Sequence, residues 1–85
     1  MKTIIDKNTS VNFISYEDMN TMFFSINIEK EDIKTIGYFY ICTKSKRIRF
    51  TEYTRKIFNN IEIDENRLIS KIRYKLFPPI IEVIF

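Results

Sequence analysis

The segment from Ile36 to Tyr53 is the part of the sequence that most constrains the fold. It reads IGYFYICTKSKRIRFTEY, in which apolar and polar side chains alternate on both sides of a polar stretch. This alternation predicts a β-hairpin whose turn spans residues 43–46. The opposed pairs are Cys42 with Arg47, Ile41 with Ile48, Tyr40 with Arg49, Phe39 with Phe50 and Tyr38 with Thr51. A shift of one residue would place Arg49 opposite Ile41, so the pattern favours this register.

The two faces of this hairpin differ in chemistry, because successive side chains of a strand point to opposite sides. One face is apolar and is predicted to form the centre of the core: Phe39, Ile41, Ile48 and Phe50. The other face carries phenol rings and guanidinium groups, with one lysine from the turn. We call it the Tyr/Arg face, and its members are Tyr38, Tyr40, Lys46, Arg47 and Arg49. These five residues are the candidate partner-binding site.

Length and composition indicate one small domain. The chain has 85 residues, of which 45% are hydrophobic and 15% aromatic, with one Gly and two Pro. This is enough apolar material for one ordered core, and the chain is too short for two. Residues 1–85 are therefore predicted to form a single domain.

Three more strands are predicted before the hairpin, at residues 2–5, 11–16 and 21–28. Strict alternation in the second of them would place Val11 and Phe13 on one face, and Ile14 and Tyr16 on the other. Residues 17–20 are predicted to be a hairpin turn. The alternative for that segment is a short helix that begins after Ser15.

One helix is predicted, at residues 65–76. Asp64 is a suitable N-cap, and the apolar stripe consists of Leu68, Ile69, Ile72 and Leu76. Residues 54–60 remain open between a helical turn and a loop, and residues 80–85 are predicted to be a strand inside the sheet. The fold class that follows is α+β: a mainly antiparallel sheet of five to six strands with one helix packed on one face.

Several kinds of chemistry are excluded by missing residue types. The chain has no His, one Cys and one Gly. Common zinc sites, Ser/His or Cys/His nucleophile pairs and glycine-rich phosphate loops therefore cannot form. Glu62, Asp64 and Glu65 could bind a hard cation, but helix capping already accounts for Asp64 and Glu65. We predict no catalytic activity, no metal and no cofactor.

Charge is distributed unevenly along the chain, whose net charge is +3. Residues 1–43 contain four Lys against six acids, whereas residues 44–85 contain ten Lys or Arg against five acids, including all five Arg. Guanidinium groups bind carboxylates and phosphates through paired hydrogen bonds. A negatively charged partner is therefore expected.

Three functions fit these observations. The first is a non-catalytic binding protein that docks through the Tyr/Arg face onto a larger protein or nucleoprotein partner, because Tyr and Arg dominate the energetics of protein interfaces. The second is a module that binds single-stranded RNA or DNA by stacking bases on Tyr38 and Tyr40. The third is a histidine-free ribonuclease toxin that uses Glu52 together with the tyrosines and arginines.

The biological setting is also an expectation from the sequence. Small size and residues typical of AT-rich codons suggest a phage or mobile-element inhibitor of a host defence complex. Cys42 is the only cysteine, so no intrachain disulfide can form and a cytoplasmic location is expected. No apolar run is long enough for a signal peptide or a membrane span. Homodimerisation through an exposed sheet edge is a further expectation.

Overall fold

The computed structural model describes residues 2–77, which form a five-stranded antiparallel sheet followed by two helices. The elements are β1 (Lys2–Asp6), β2 (Thr9–Asp18), β3 (Thr21–Lys30), β4 (Ile33–Cys42), β5 (Ile48–Phe50), α1 (Glu52–Asn60) and α2 (Glu65–Leu76). Each strand pairs with the next one in the sequence, so the order across the sheet is β1-β2-β3-β4-β5. The predicted α+β class with a mainly antiparallel sheet is confirmed.

Two parts of the predicted architecture need correction. A single helix was expected, but α1 is a second one, which begins after Thr51 and includes the segment 54–60 that the sequence left open. Its Asn and β-branched residues are weak helix formers, so tertiary packing of the buried Phe58 decides the conformation. Within residues 2–77 the sheet has five strands, not six. The strand predicted at 80–85 lies outside the described residues.

The predicted hairpin register is confirmed. Phe39 pairs with Phe50, Tyr40 with Arg49 and Ile41 with Ile48. Backbone hydrogen bonds extend this ladder beyond the strand ends, from Cys42 N to Arg47 O at 3.0 Å and from Thr51 N to Tyr38 O at 3.1 Å. A hairpin joins β2 and β3 as predicted, but its turn is tighter than residues 17–20: β2 continues to Asp18, which pairs with Thr21, so only Met19 and Asn20 form the turn.

The core lies between the sheet and the helices α1 and α2. Phe39 and Ile41 have no exposed surface, so the apolar face of the hairpin forms the centre of the core as predicted. Edge contacts between aromatic rings continue from Phe39 to Phe50 and from Phe50 to Phe58, which joins β4 to α1. The buried apolar residues are Ile5, Val11, Phe24, Ile26, Ile28, Phe39, Ile41, Ile48, Phe50, Phe58, Leu68 and Ile72.

Both helices are anchored at their ends by polar contacts. The predicted N-cap of α2 is confirmed, because an Asp64 carboxylate oxygen accepts a hydrogen bond from Arg67 N at 3.1 Å. At the C-terminal end of α1, Lys30 Nζ donates to Ile61 O at 2.6 Å and to Glu62 O at 3.2 Å. A cation at these carbonyl groups stabilises the negative end of the helix dipole. Neither helix of residues 2–77 is long and apolar enough to cross a membrane.

The predicted faces of β2 are correct only as far as Phe13. The pairing of β2 with β3 shifts by one residue between Phe13 and Ser15, so Tyr16 pairs with Met22 and returns to the side of Phe13. The ring centroids of Phe13 and Tyr16 lie 5.2 Å apart. The prediction that these two residues lie on opposite faces is therefore wrong, because a β-bulge inserts a residue into the alternation.

Candidate functional site

The Tyr/Arg face lies on the side of the sheet away from the helices. Both α1 and α2 contribute buried side chains to one core cluster, so they cover the same side of the sheet. Tyr38 and Tyr40 alternate along β4 with Gly37, Phe39 and Ile41, which are buried on that covered side. We call the opposite side the open side, since no helix of residues 2–77 packs against it.

Strand pairing fixes which side chains are neighbours on the open side. One row across the sheet consists of Ser15, Phe23, Tyr40 and Arg49. The adjacent row consists of Lys2, Asn12, Ser25 and Tyr38. Adjacent strands are about 4.8 Å apart, so neighbours within a row are in contact range. The tyrosines of the Tyr/Arg face are thus flanked by the arginine-bearing β5 on one side and by Phe23 and small polar residues on the other.

Three aromatic rings from these two rows pack together: Phe23, Tyr38 and Tyr40. We call this cluster the aromatic row. Phe23 stacks on Tyr38 with 5.6 Å between ring centroids and 11° between ring planes. Its centroid lies 4.9 Å from that of Tyr40. All three side chains are half-buried. Their mutual packing fixes the ring positions, so a ligand would meet a prearranged surface.

Phe23 was missed as a site residue by the sequence analysis. Alternation in the strand predicted at 21–28 puts Phe23 on one face with Ser25 and Asn27, but nothing in the local pattern shows which strand lies beside it. The signal was the presence of one aromatic residue on an otherwise polar face. The pairing of Phe23 with Tyr40 turns two tyrosines into a contiguous aromatic surface.

The arginines of the Tyr/Arg face are available for a ligand. Arg47 and Arg49 are exposed and form no ion pair among residues 2–77. Lys46 is less available, because its Nζ donates to Thr43 O at 2.7 Å and lies 4.9 Å from the centroid of the Phe77 ring. The structure therefore brings four of the five predicted site residues together and holds the Lys46 ammonium at the turn.

A depression of about 420 Å³ opens between the aromatic row and the arginines. Its lining residues are Thr21, Tyr40, Cys42, Arg47 and Arg49. Hydrogen bonds from the Ser45 hydroxyl, the Ser45 N–H and the Lys44 N–H hold the pKa of the Cys42 thiol below its ordinary value. The depression thus combines a phenol ring, a half-buried thiol and two guanidinium groups.

The opposite end of the open side combines polar groups with two exposed isoleucines, Ile4 and Ile36. A second depression, of about 400 Å³, is lined there by residues that include Lys2, Asn12, Asn27 and Lys34. The side chains of Asn12 and Asn27 are half-buried and form no hydrogen bond within residues 2–77. Their amide groups can both donate and accept hydrogen bonds to a ligand.

The set of residues required for the ribonuclease hypothesis is not assembled. The Glu52 carboxylate lies 3.9 Å from Lys56 Nζ on α1, and within the described part of the chain it forms no ion pair with the Tyr/Arg face. The carboxylates considered for a cation are occupied as well, since Asp64 caps α2 and Glu65 lies 3.4 Å from Arg55 Nε. No group of three acidic or Cys side chains converges among residues 2–77.

No protein-family model matches the chain, and neither a curated protein nor a solved structure is significantly similar to it. The function is therefore inferred from the residues of the open side.

Proposed function

We propose that the protein is a non-catalytic binding protein that docks through its Tyr/Arg face onto a negatively charged surface of a larger protein or nucleoprotein complex. The observation that carries this proposal is the position of Arg47 and Arg49. Both are exposed and free of ion pairs within residues 2–77, and Arg49 lies in one row with Tyr40 and Phe23.

The physical basis is that the rings of the aromatic row, held in place by packing, lie beside arginine side chains that form no ion pair within residues 2–77. Arg47 directly precedes β5 and continues its ladder through the Cys42 N to Arg47 O hydrogen bond, so its side chain emerges about 6.7 Å from that of Arg49 on the same side. Each guanidinium group can donate two parallel hydrogen bonds to a carboxylate or phosphate. The aromatic row offers contact area with little entropy left to lose, because its rings already pack on one another.

A non-catalytic role fits the groups that the face offers. Its phenols and guanidinium groups can bind and orient an anion, but within residues 2–77 no carboxylate contacts them to act as a general base. We keep the cytoplasmic location and the role of a phage or mobile-element inhibitor as parts of the proposal. A homodimer through a sheet edge also stays a prediction.

Affinity capture with matched charge-reversal variants tests the proposal. Arg47→Glu with Arg49→Glu removes the cations of the Tyr/Arg face. Arg67→Glu with Arg73→Glu makes the same charge change on exposed positions of α2, on the other side of the sheet. Bound proteins are identified by mass spectrometry, and co-purified nucleic acid is recovered and sequenced.

We expect the face variant to lose its specific partner while its thermal unfolding stays cooperative, and the α2 variant to keep that partner. Equal capture by both variants would place the binding surface elsewhere and contradict the proposal.

A further inference from the structure

We propose that the anionic ligand of the open side is single-stranded nucleic acid, which crosses the sheet from β5 towards β1. The inference rests on the proposed function, because it names the ligand of the same face. RNA and DNA share the chemistry involved: flat bases, hydrogen-bonding base edges and phosphates.

The aromatic row supplies the stacking surface. Phe23, Tyr38 and Tyr40 are half-buried side chains in the centre of the open side, held by one another at centroid distances of 4.9 and 5.6 Å. Single-strand binding proteins place bases on such rings, and each base contributes about 1–3 kcal/mol as measured by alanine substitution. Stacking requires unpaired bases, so this surface distinguishes a single strand from a duplex.

Cations lie at both ends of the aromatic row. Arg49 on β5 and Arg47 directly before β5 lie at one end, and Lys2 on β1 lies at the other end of the row that contains Tyr38. Three carboxylates belong to the open side: Glu17, which accepts from Ser15 Oγ at 3.4 Å, Asp18 at the end of β2, and Glu29, which pairs with Lys34 near the end of β3. A backbone with a phosphate at every nucleotide can contact both cationic ends, whereas a single acidic side chain reaches one.

Amide groups complete the set of contacts. Asn12 lies in the row of Tyr38, and Asn27 lies two positions from Ser25 along β3. Neither amide has a hydrogen-bond partner among residues 2–77. Amide side chains read base edges by donating and accepting at once. The aromatic row is thus bordered by cations and by groups able to bind the edges of stacked bases.

The dimensions agree with a short single strand. Five strands spaced about 4.8 Å apart span about 19 Å between β1 and β5, which matches roughly four nucleotides, the lower end of known site sizes. A duplex fits less well, because no helix or ribbon of residues 2–77 projects from the open side to enter a groove. The exposed residues Ile4 and Ile36 lie in the next row, Ile4, Ser10, Asn27 and Ile36, outside the aromatic row.

Fluorescence anisotropy tests the inference with labelled 12-nucleotide single-stranded RNA and DNA of mixed sequence and with a duplex of the same length. We expect single strands to bind more tightly than the duplex. Tyr40→Ala should weaken binding about tenfold, and Tyr40→Phe should preserve it. Arg47→Gln with Arg49→Gln should lower the slope of log K against log salt by about 1.4, because two phosphate contacts are lost.

A second measurement locates the ligand. Cys42 is the only cysteine and lines the depression beside Arg47 and Arg49, so an oligonucleotide that occupies this site should slow alkylation of Cys42 by iodoacetamide. The Arg67→Glu and Arg73→Glu variant should retain both binding and protection. A preference for RNA or for DNA would support the inference and identify the natural strand.

The contrary outcomes separate the inference from the proposed function. If no oligonucleotide binds at low salt while Arg47→Glu with Arg49→Glu still abolishes capture of a protein partner, the ligand is an acidic protein surface and only the inference is overturned. The inference would also be overturned if Tyr40→Ala left oligonucleotide affinity unchanged and the duplex bound more tightly than the single strands. If the Arg47→Glu and Arg49→Glu variant keeps both its oligonucleotide binding and its protein binding, the inference and the proposed function are both overturned.

Discussion

Gly37 and Thr54 are in contact where β4 meets α1. A Cβ at position 37 would lie 2.5 Å from Thr54 Cγ2 and 3.1 Å from Thr54 Oγ1. The Thr54 side chain is fully buried. The only glycine of the chain thus lets the first turn of α1 lie directly on the sheet.

Thr54 also completes the hydrogen bonding of the sheet. Its Oγ1 accepts from Tyr38 N at 2.8 Å and shares a hydrogen bond with Thr51 Oγ1 at 2.7 Å. The carbonyl oxygen of Thr51 accepts a hydrogen bond from Arg55 N at 3.0 Å, which belongs to α1, and not from Tyr38 N of β4. The side chain of Thr54 therefore supplies the acceptor that Tyr38 N would otherwise lack at the point where the chain leaves β5 for α1.

Gly37→Ala should destabilise the protein by about 1–3 kcal/mol, because the new methyl group forces α1 away from β4. Thr54→Ser removes the closest atom, Cγ2, and keeps the accepting Oγ1. The double variant should therefore be more stable than the sum of the two single changes predicts. Urea denaturation of the four proteins of this double-mutant cycle measures the coupling, and strictly additive free energies would contradict the contact.

Thr54→Val should cost about 1–3 kcal/mol of unfolding free energy, although the two side chains have the same shape. The reason is that Tyr38 N loses its acceptor in a place from which water is excluded. Thr35→Val is the matched control, since this half-buried threonine of β4 forms no side-chain hydrogen bond within residues 2–77. A similar loss of stability in both variants would argue against a special role of the Thr54 hydroxyl.

The parts of the fold that depend on local pattern could be predicted from the sequence. Alternation around the turn at 43–46 fixes the hairpin register, and Asp64 with its apolar stripe fixes α2, because both signals lie within a few residues. The bulge after Phe13 could not be predicted, since it is set by how β2 curves against β3. α1 was left open for a related reason: its stability comes from Phe58 in the core and Thr54 on Gly37, not from helix propensity.

The candidate site was predictable to the same extent. The hairpin alone defines Tyr38, Tyr40, Arg47 and Arg49, and these residues do share the open side. Phe23 enters the site only through the pairing of β3 with β4, which sequence alternation cannot specify. Lys46 was included because it is adjacent in sequence, whereas its positive φ of 59° belongs to the turn, where its ammonium contacts Thr43 O.

Cys42 should be alkylated faster near neutral pH than an ordinary thiol. Hydrogen bonds from Ser45 and Lys44 stabilise its thiolate and hold its pKa below the ordinary 9.0. Ser45→Ala removes the hydroxyl donor, so the midpoint of the rate profile should move to higher pH. The rate of Cys42 alkylation by iodoacetamide, measured at pH values from about 6 to about 10, gives this profile. Ser25→Ala, on the open side but away from the thiol, should leave the midpoint unchanged; a shift of equal size there would contradict the assignment to Ser45.

Asp6 should make the stability of the fold depend on pH in the acid range. Burial on its own would raise the pKa of this carboxyl, but a hydrogen bond from Asn8 N at 2.8 Å and the Lys71 ammonium at 3.0 Å outweigh it, so the pKa of Asp6 lies below 3.8. A carboxyl with a lowered pKa in the folded state contributes fully above its unfolded value. That contribution is lost as the pH falls through the folded value.

Asp6→Asn should therefore lower the unfolding free energy at pH 7 by up to about 1 kcal/mol, because the ion pair with Lys71 is partly exposed. The difference from the native protein should shrink as the pH falls below 3.8 and Asp6 itself becomes protonated. Glu31→Gln is the control, since Glu31 forms no ion pair among residues 2–77. Denaturation curves between pH 2 and 7, as a chosen range, measure both variants. A stability difference for Asp6→Asn that stays constant over this range would show that packing, and not the charge of Asp6, joins β1 to α2.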